Sequence, residues 1–461
     1  MSFVAVDLGA SSSRYVSDSG QISILPNNMV WLENGQDPRI NPDAEDVESS
    51  LDISITKDSG AECEYFPTTA LAGIMADRFT SVHTVPLVGI KKYKQKVNYV
   101  SAIMSAAVSR LKYSLPEDID LYLAVPPMEI HEAREAFGNQ LVGRYTVKFP
   151  KYMGGTEVKL NIVSVQCYEE SFMASTSFFF NMNGVPKEQN KKYGAGIILS
   201  LDIGASTTDL SIIKNGRYLD KSGKTYRVGG NEARETLVYD ICSRYDIDLS
   251  PEAAEKVMSE GRLQLGNNYV DVSDLVAKAK TELAKKLMTH LPLYFKTIQI
   301  DMTTINAIVV SGGGSMQSQY VNADGEVVKT SEPMSYYVTQ ELLNLSSGTE
   351  VVAYGDDARL ANVKGLFIKA KVDSITKAAA VKAPAPAPAP ASVQAETPTV
   401  AQTAPVAPQV TPVTTTTPVA TAPVATAPVA TAPVQTEVPS QTAPVTSQTT
   451  PVAPVAPQVT I

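Results

Sequence analysis

One five-residue motif occurs twice in this chain of 461 residues. Asp7-Leu8-Gly9-Ala10-Ser11 and Asp202-Ile203-Gly204-Ala205-Ser206 differ only by Leu for Ile and lie 195 residues apart. Each copy closes a short apolar run, residues 3–6 in the first and 196–201 in the second. Each then passes through a Gly/Ser/Thr turn into a second strand-like segment, Tyr15-Val16 or residues 210–213. One such turn is an ordinary hairpin. Two copies at matching places predict two duplicated lobes facing one another.

The pattern around the motifs supports that division. Residues 99–112, 231–245 and 272–291 have helical spacing. Residues 121–125, halted by Pro126-Pro127, and 305–310, running into Ser311-Gly312-Gly313-Gly314-Ser315, read as buried strands. A polar stretch from Asn27 to Gly60 reads as an irregular insertion. Seventeen of the 30 prolines fall between positions 384 and 457, and the last 78 residues carry two charged side chains, Glu396 and Glu437. A segment of Ala, Pro, Val, Thr and Gln buries too little apolar surface to offset chain ordering, so it reads as disordered. Its five-residue beat at Thr421, Thr426 and Thr431 favours polyproline II, as a spacer or as a docking arm. Roughly 380 residues remain to fold, enough for about two domains. The expected organisation is lobe I over 1–192 with a small insert at 28–110, lobe II over 193–372 with a small subdomain at 231–300, and a tail over 373–461.

Several classes are excluded. Three dispersed cysteines form neither a disulfide framework nor a zinc site. The start has no basic region and meets Asp7 too early for a secretory signal. No run approaches the ~20 apolar residues of a membrane span, so a cytoplasmic protein without membrane contact is expected. A formal charge of −9 disfavours direct, sequence-independent nucleic-acid binding.

A tight Gly/Ser turn aims several backbone N–H groups at one point, a nest for phosphate oxygens. Gly9, Ala10, Ser11, Ser12 and Arg14 in one lobe, with Gly204, Ala205, Ser206 and Thr207 in the other, are the candidate phosphate contacts. Asp7 and Asp202 would repel a triphosphate by themselves. They make sense holding a divalent cation through water, as Mg2+ prefers. Gly312, Gly313, Gly314 and Ser315 offer a flat backbone surface for a base or ribose, and Gly229-Gly230 opens a helix whose free N–H groups could face a nucleotide. Ser222-Gly223-Lys224-Thr225 imitates the end of a P-loop, but Tyr218 stands where that motif needs glycine, so an exposed turn is expected. His83, His131 and His290 lie in no motif. Glu169-Glu170, at a predicted strand-to-helix junction, is better placed to orient a water.

Taken together, the three ordered motifs resemble those of the actin, heat-shock chaperone and sugar kinase superfamily over about residues 1–372. The resemblance implies an α/β two-lobed fold with duplicated ribonuclease H-like subdomains around a nucleotide cleft. Within that superfamily the chain looks most similar to bacterial ParM-type filament proteins. Glu170-Ser171 resembles their catalytic glutamate-serine pair, and residues 361–367 resemble their closing helix. The resemblance implies Glu170 as the water-orienting residue, Asp7 and Asp202 as its catalytic partners, Lys280 as a nucleoside contact, and ATP with Mg2+ as ligands, GTP being the alternative. Arg14 stands where such proteins usually carry Lys, and Ala10-Ser11 replaces a commoner Gly-Ser or Ser-Thr.

The implied function is a polymerising ATPase that segregates plasmid or phage DNA through an adaptor protein. Alternatives are a cell-division or pilus-assembly relative, a chaperone, whose β-rich substrate domain this tail cannot form, and a sugar kinase, for which no Asp base with a sugar pocket is found.

Overall fold

The computed structural model describes residues 2–33, 50–79, 90–150, 155–343, 348–355 and 357–382. The predicted tail beyond 382 and His83 lie outside the described residues. In chain order the strands are β1 (Ser2–Leu8), β2 (Ser12–Ser17), β3 (Ile22–Pro26), β4 (Met29–Trp31), β5 (Ser50–Lys57), β6 (Thr68–Gly73), β7 (Asp118–Val125), β8 (Gly143–Phe149) and β9 (Thr156–Glu169), which form one sheet in the order β3-β2-β1-β7-β9-β8-β5-β6-β4. Next come β10 (Ile197–Ile203), β11 (Thr208–Lys214), β12 (Arg217–Tyr218), β13 (Lys224–Tyr226), the pair β14 (Arg262–Leu265) and β15 (Asn268–Asp271), β16 (Ala307–Ser311), the pair β17 (Ser318–Val321) and β18 (Val327–Ser331), and β19 (Glu350–Ala353). The second sheet runs β12-β11-β10-β16-β19, with β13 also on β11.

The duplication expected from the motif is visible in strand order and direction. In the first sheet β1 pairs antiparallel with β2 and parallel with β7, which is parallel to β9. In the second, β10 pairs antiparallel with β11 and parallel with β16, which is parallel to β19. Parallel neighbours need crossover connections, and helices supply them. The helices among the described residues are α1 (Ile74–Phe79), α2 (Lys96–Tyr113), α3 (Ile130–Leu141), α4 (Glu170–Phe179), α5 (Gly230–Tyr245), α6 (Pro251–Glu260), α7 (Ser273–Ile298), α8 (Met334–Leu342) and α9 (Ala361–Lys382), of which α2, α3, α5 to α7 and α8 lie in the crossovers.

Each sheet is covered on both faces. Val4, Val6 and Leu8 share one core with Tyr99, Val100, Ile103 and Met104 of α2. Leu199, Leu201 and Ile203 share another with Leu283, Leu287 and Leu291 of α7. The opposite face of the first sheet (Phe3, Ala5, Tyr122) packs on Val363, Leu366 and Phe367 of α9, and that of the second (Ile198, Ala307, Val309) on Phe178 of α4. α4 and α9 cross in contact. A Cβ on Gly365 would overlap the Met173 carbonyl oxygen, so glycine is required at the crossing. Ser177 Oγ donates to Ala361 O across it at 2.7 Å.

Three local expectations change. The stretch 27–60 is not wholly irregular: Leu51, Ile53 and Ile55 alternate into the core on β5, which pairs with β6 and β8. α2, placed by the sequence largely inside the insert, lies on the main sheet: every residue from Val97 to Ser109 is buried, and Val100 and Ile103 share the core of β1. α9 runs to Lys382, ten residues past the expected boundary at 372, since 369–382 is rich in Ala and Lys, strong helix formers.

Candidate functional site

The two repeated turns are superposable in register. Leu8 faces Ser13 and Asp7 faces Arg14 in the first hairpin; Ile203 faces Thr208 and Asp202 faces Asp209 in the second. Four residues, 9–12 and 204–207, therefore make each connection. Ala10, Ser11 and Ala205 at the tips are exposed, whereas the acids below them are buried.

Neighbouring elements pin each turn. Asn27, wholly buried, donates from Nδ2 to Gly9 O at 2.5 Å and from its backbone N–H to Ser11 O at 3.2 Å. Its Oδ1 accepts from Ser13 Oγ at 2.9 Å and from Ser101 Oγ of α2 at 2.8 Å. The second turn closes through Gly204 N–H to Thr207 O at 2.8 Å and is held by the head of α5. There Gly230 N–H donates to Gly204 O at 2.9 Å, and Asn231 N–H to Ala205 O at 2.7 Å. The expected free donors of this segment are thus engaged by the turn itself. Gly229 is needed for the close approach, because a Cβ there would lie 2.8 Å from the Gly204 and Ala205 oxygens.

The third glycine cluster follows β16 and joins the same assembly. Gly312 has φ +88°, and a Cβ on it would fall 2.6 Å from Asp202 Oδ1. Gly313 is exposed, while Ser315 is buried and donates from Oγ to Gly312 O at 2.7 Å. Lys280 does not present its ammonium to that surface. It is buried and donates to Met316 O (2.9 Å), Ser318 Oγ (3.1 Å), Ser331 Oγ (2.8 Å) and Glu332 O (3.1 Å). With no carboxylate in direct contact, burial lowers its pKa to about 7.

Beneath the turns lies a cluster of acids. Strand β9 passes without a loop into α4 at Glu170, so the Glu170 carboxylate sits at a helix N-terminus, where the helix dipole favours it. Glu170 forms a short ion pair with Lys92, and Asp7 pairs with Arg14 Nη1 at 3.6 Å. Asp202 accepts from Ser311 Oγ (3.1 Å) and Asn362 Nδ2 of α9 (2.9 Å), and Asp209 accepts from Thr225 Oγ1 (2.6 Å). Burial raises the Asp7 carboxyl, with Arg14 opposing and Glu170 adding to the rise. Burial and then Glu170 raise Asp202 to about 7 and push Asp209 well up. Burial pulls the Lys92 ammonium down, but Glu170 and Asp7 more than restore it, and it ends above its ordinary value.

Four carboxyls (Asp7, Glu170, Asp202, Asp209) thus face two cations, Arg14 and Lys92. Where the first hairpin sets Asp7 against Arg14, the second sets Asp202 against Asp209, and positive charge falls short. That shortfall fits a divalent cation. Among the described residues no three His, Cys, Asp or Glu side chains are grouped to ligate a metal directly. Of the donors present, Asp7 and Asp202 fit the water-mediated holding expected of magnesium.

The segment 222–225 is not the exposed turn expected. Lys224–Tyr226 adds a strand to β11, Ser222 is buried with its Oγ accepting from Ile212 N–H at 3.0 Å, and Thr225 bonds Asp209.

Known proteins share this architecture. Residues 200–319, which hold the second turn and the third glycine cluster, match the family model described as archaeal actin homologue MreB-like, C-terminal. The structure resembles that of actin-like protein Alp7A with a TM-score of 0.62 at 17% identity, covering 82% of this chain and 98% of that one. The fold is actin-like. The archaeal actin homologue Ta0583 (TM-score 0.58, 16% identity, 81% of this chain and 100% of that one) is similar too. So is Bacillus thuringiensis ParM with AMPPNP (0.56, 15%, 81% and 99%). No curated protein sequence matches the chain.

In this actin-like chain the motif reading brings together Asp7, Glu170, Asp202 and the three glycine turns. It misses Lys92, Asn27 and Asn362. Lys92 lies in the run Lys91-Lys92-Tyr93-Lys94, which reads as a solvated basic face. Asn27 opens a polar stretch that reads as loop, and Asn362 is one polar residue in a helix.

Proposed function

We propose that the chain is a nucleotide-dependent polymerising ATPase whose filaments move or position DNA through an adaptor. The observation that carries this reading is the convergence of the two phosphate turns, in identical register, with Glu170 over one set of buried acids. Gly9–Ser12 with Arg14 hold one side of the phosphates, and Gly204–Thr207 the other. Gly229 and Gly230 support the second turn, and residues 312–315 receive the nucleoside. Lys280 acts on the nucleoside site by anchoring the chain after Ser315. Glu170, fixed at the strand-to-helix junction, accepts a hydrogen bond from the attacking water and aligns it with the terminal phosphate. Asp7 and Asp202 would hold a magnesium ion through water, which supplies positive charge to the phosphates.

Ta0583 has been crystallised with ADP, and the Bacillus thuringiensis ParM with ADP and with AMPPNP. Those complexes support ATP as the ligand, with GTP as the competitor. The ParM likeness supports DNA segregation, and the net charge of −9 supports an adaptor in place of direct DNA contact. No helix among the described residues is long and apolar enough to cross a membrane. Light scattering of the purified protein tests the proposal. A rise on adding Mg-ATP, followed by decay as phosphate appears, is expected. Phosphate release with no rise at any protein concentration would leave a non-filament ATPase of the same superfamily.

A further inference from the structure

Lys92 is the basic group that the sequence motifs do not account for, and its placement is specific. Its backbone N–H donates to Glu129 Oε2 at 2.7 Å, and its carbonyl accepts from Asn98 Nδ2 at 2.9 Å. The chain entering α2 is therefore fixed at both peptide groups, and the side chain reaches inward. About four-fifths of that side chain is buried. Its ammonium pairs with Glu170 and also feels the charges of Asp7 and Asp209. Asp7 leads into the first turn and Asp209 leads out of the second.

We propose that Lys92 is a terminal-phosphate contact that holds Glu170 paired until a nucleoside triphosphate is bound. The inference rests on the nucleotide reading above. The ammonium occupies Oε1 and draws charge from the whole carboxylate, so the paired Glu170 is a weaker acceptor and base for a water. A lysine ammonium is a compact point charge on a flexible stem and can change partners with little geometric demand. A terminal phosphate carries more negative charge than one carboxylate and draws the ammonium away. Glu170 is then free to orient water at the moment its substrate has arrived. A diphosphate lacks that terminal group and leaves the ion pair intact. The pair therefore discriminates triphosphate from diphosphate and ties hydrolysis to the presence of the group to be hydrolysed.

Titration calorimetry with Mg-ADP and Mg-AMPPNP on the full chain tests this. Lys92→Gln is expected to leave the ADP affinity within about twofold and weaken AMPPNP about tenfold or more, the scale of one charge-assisted contact. Lys92→Arg is expected to recover part of the AMPPNP preference. Glu170→Gln frees Lys92 without touching its own chain and is expected to bind AMPPNP several-fold more tightly, with ADP unchanged. This second variant keeps the test decisive if Lys92→Gln fails to fold. Equal effects on the two nucleotides, or no tightening in Glu170→Gln, overturn the role of Lys92 while leaving the nucleotide site standing. Wild-type protein that binds neither nucleotide overturns both.

Discussion

Replacing Asp202 with asparagine should stabilise the ligand-free protein while abolishing the proposed nucleotide hydrolysis. Asp202 is buried, and its carboxyl is raised from an ordinary 3.8 to about 7, first by burial and then by Glu170. The folded state therefore keeps a proton that the unfolded chain gives up, and stability falls as pH rises between about 4 and 7. A rise of about three pH units at ~1.4 kcal/mol each puts the cost of ionising Asp202 in place at roughly 4 kcal/mol. Asp202→Asn removes that cost and keeps the shape. Its amide can donate to Ser311 Oγ, or to Asn362 Oδ1, a buried oxygen that otherwise has no partner. Allowing about 1 kcal/mol for imperfect hydrogen bonding, a gain of roughly 3 kcal/mol remains at pH 8. Urea unfolding in EDTA, at pH 8 and at pH 5, measures it. The variant should exceed wild type at pH 8, and the difference should shrink towards zero at pH 5, where wild-type Asp202 is protonated. A variant less stable than wild type at pH 8 would instead mean that Asp202 is a favourably held anion.

The remaining predictions concern the supports of the site. Asn27→Ala removes the donor to Gly9 O and strands the Ser13 and Ser101 hydroxyls; it should cost about 2 kcal/mol in urea unfolding and weaken nucleotide binding in calorimetry. Gly365→Ala forces a methyl into the Met173 carbonyl at the α4–α9 crossing, and should cost at least about 2 kcal/mol with a matching fall in melting temperature. Removing residues 384–461 should leave nucleotide hydrolysis unchanged in a phosphate-release assay.

The duplicated motif was legible because its signal is local. A strand ending in Asp-Leu or Asp-Ile, then Gly-Ala-Ser, then a second strand fixes both the hairpin and the seven-residue offset that sets Asp7 against Arg14 and Asp202 against Asp209. Glu170 was legible for the same reason, since a strand-to-helix junction shows in the change of period. Lys92 was not. Its partner Glu170 is 78 residues away, and nothing in a basic run distinguishes a buried ammonium from a solvated one. At Gly229-Gly230 the glycines show in the sequence but their packing does not: Gly230 N–H donates to Gly204 O, and Gly229 leaves room for the Gly204 and Ala205 oxygens. Alternation on β5 was masked by its polar flanks, and the helical end of α9 by the proline-rich sequence that follows it.

The proposed function requires Glu170 to direct hydrolysis of a nucleotide held between the two turns. Phosphate release from Mg-ATP by wild type and Glu170→Gln, measured at saturating nucleotide with binding confirmed for both, tests it most directly. Wild type should release phosphate steadily, and the variant should lose at least about a hundredfold with nucleotide still bound. Release by Glu170→Gln at the wild-type rate, or none by nucleotide-bound wild type, would contradict it.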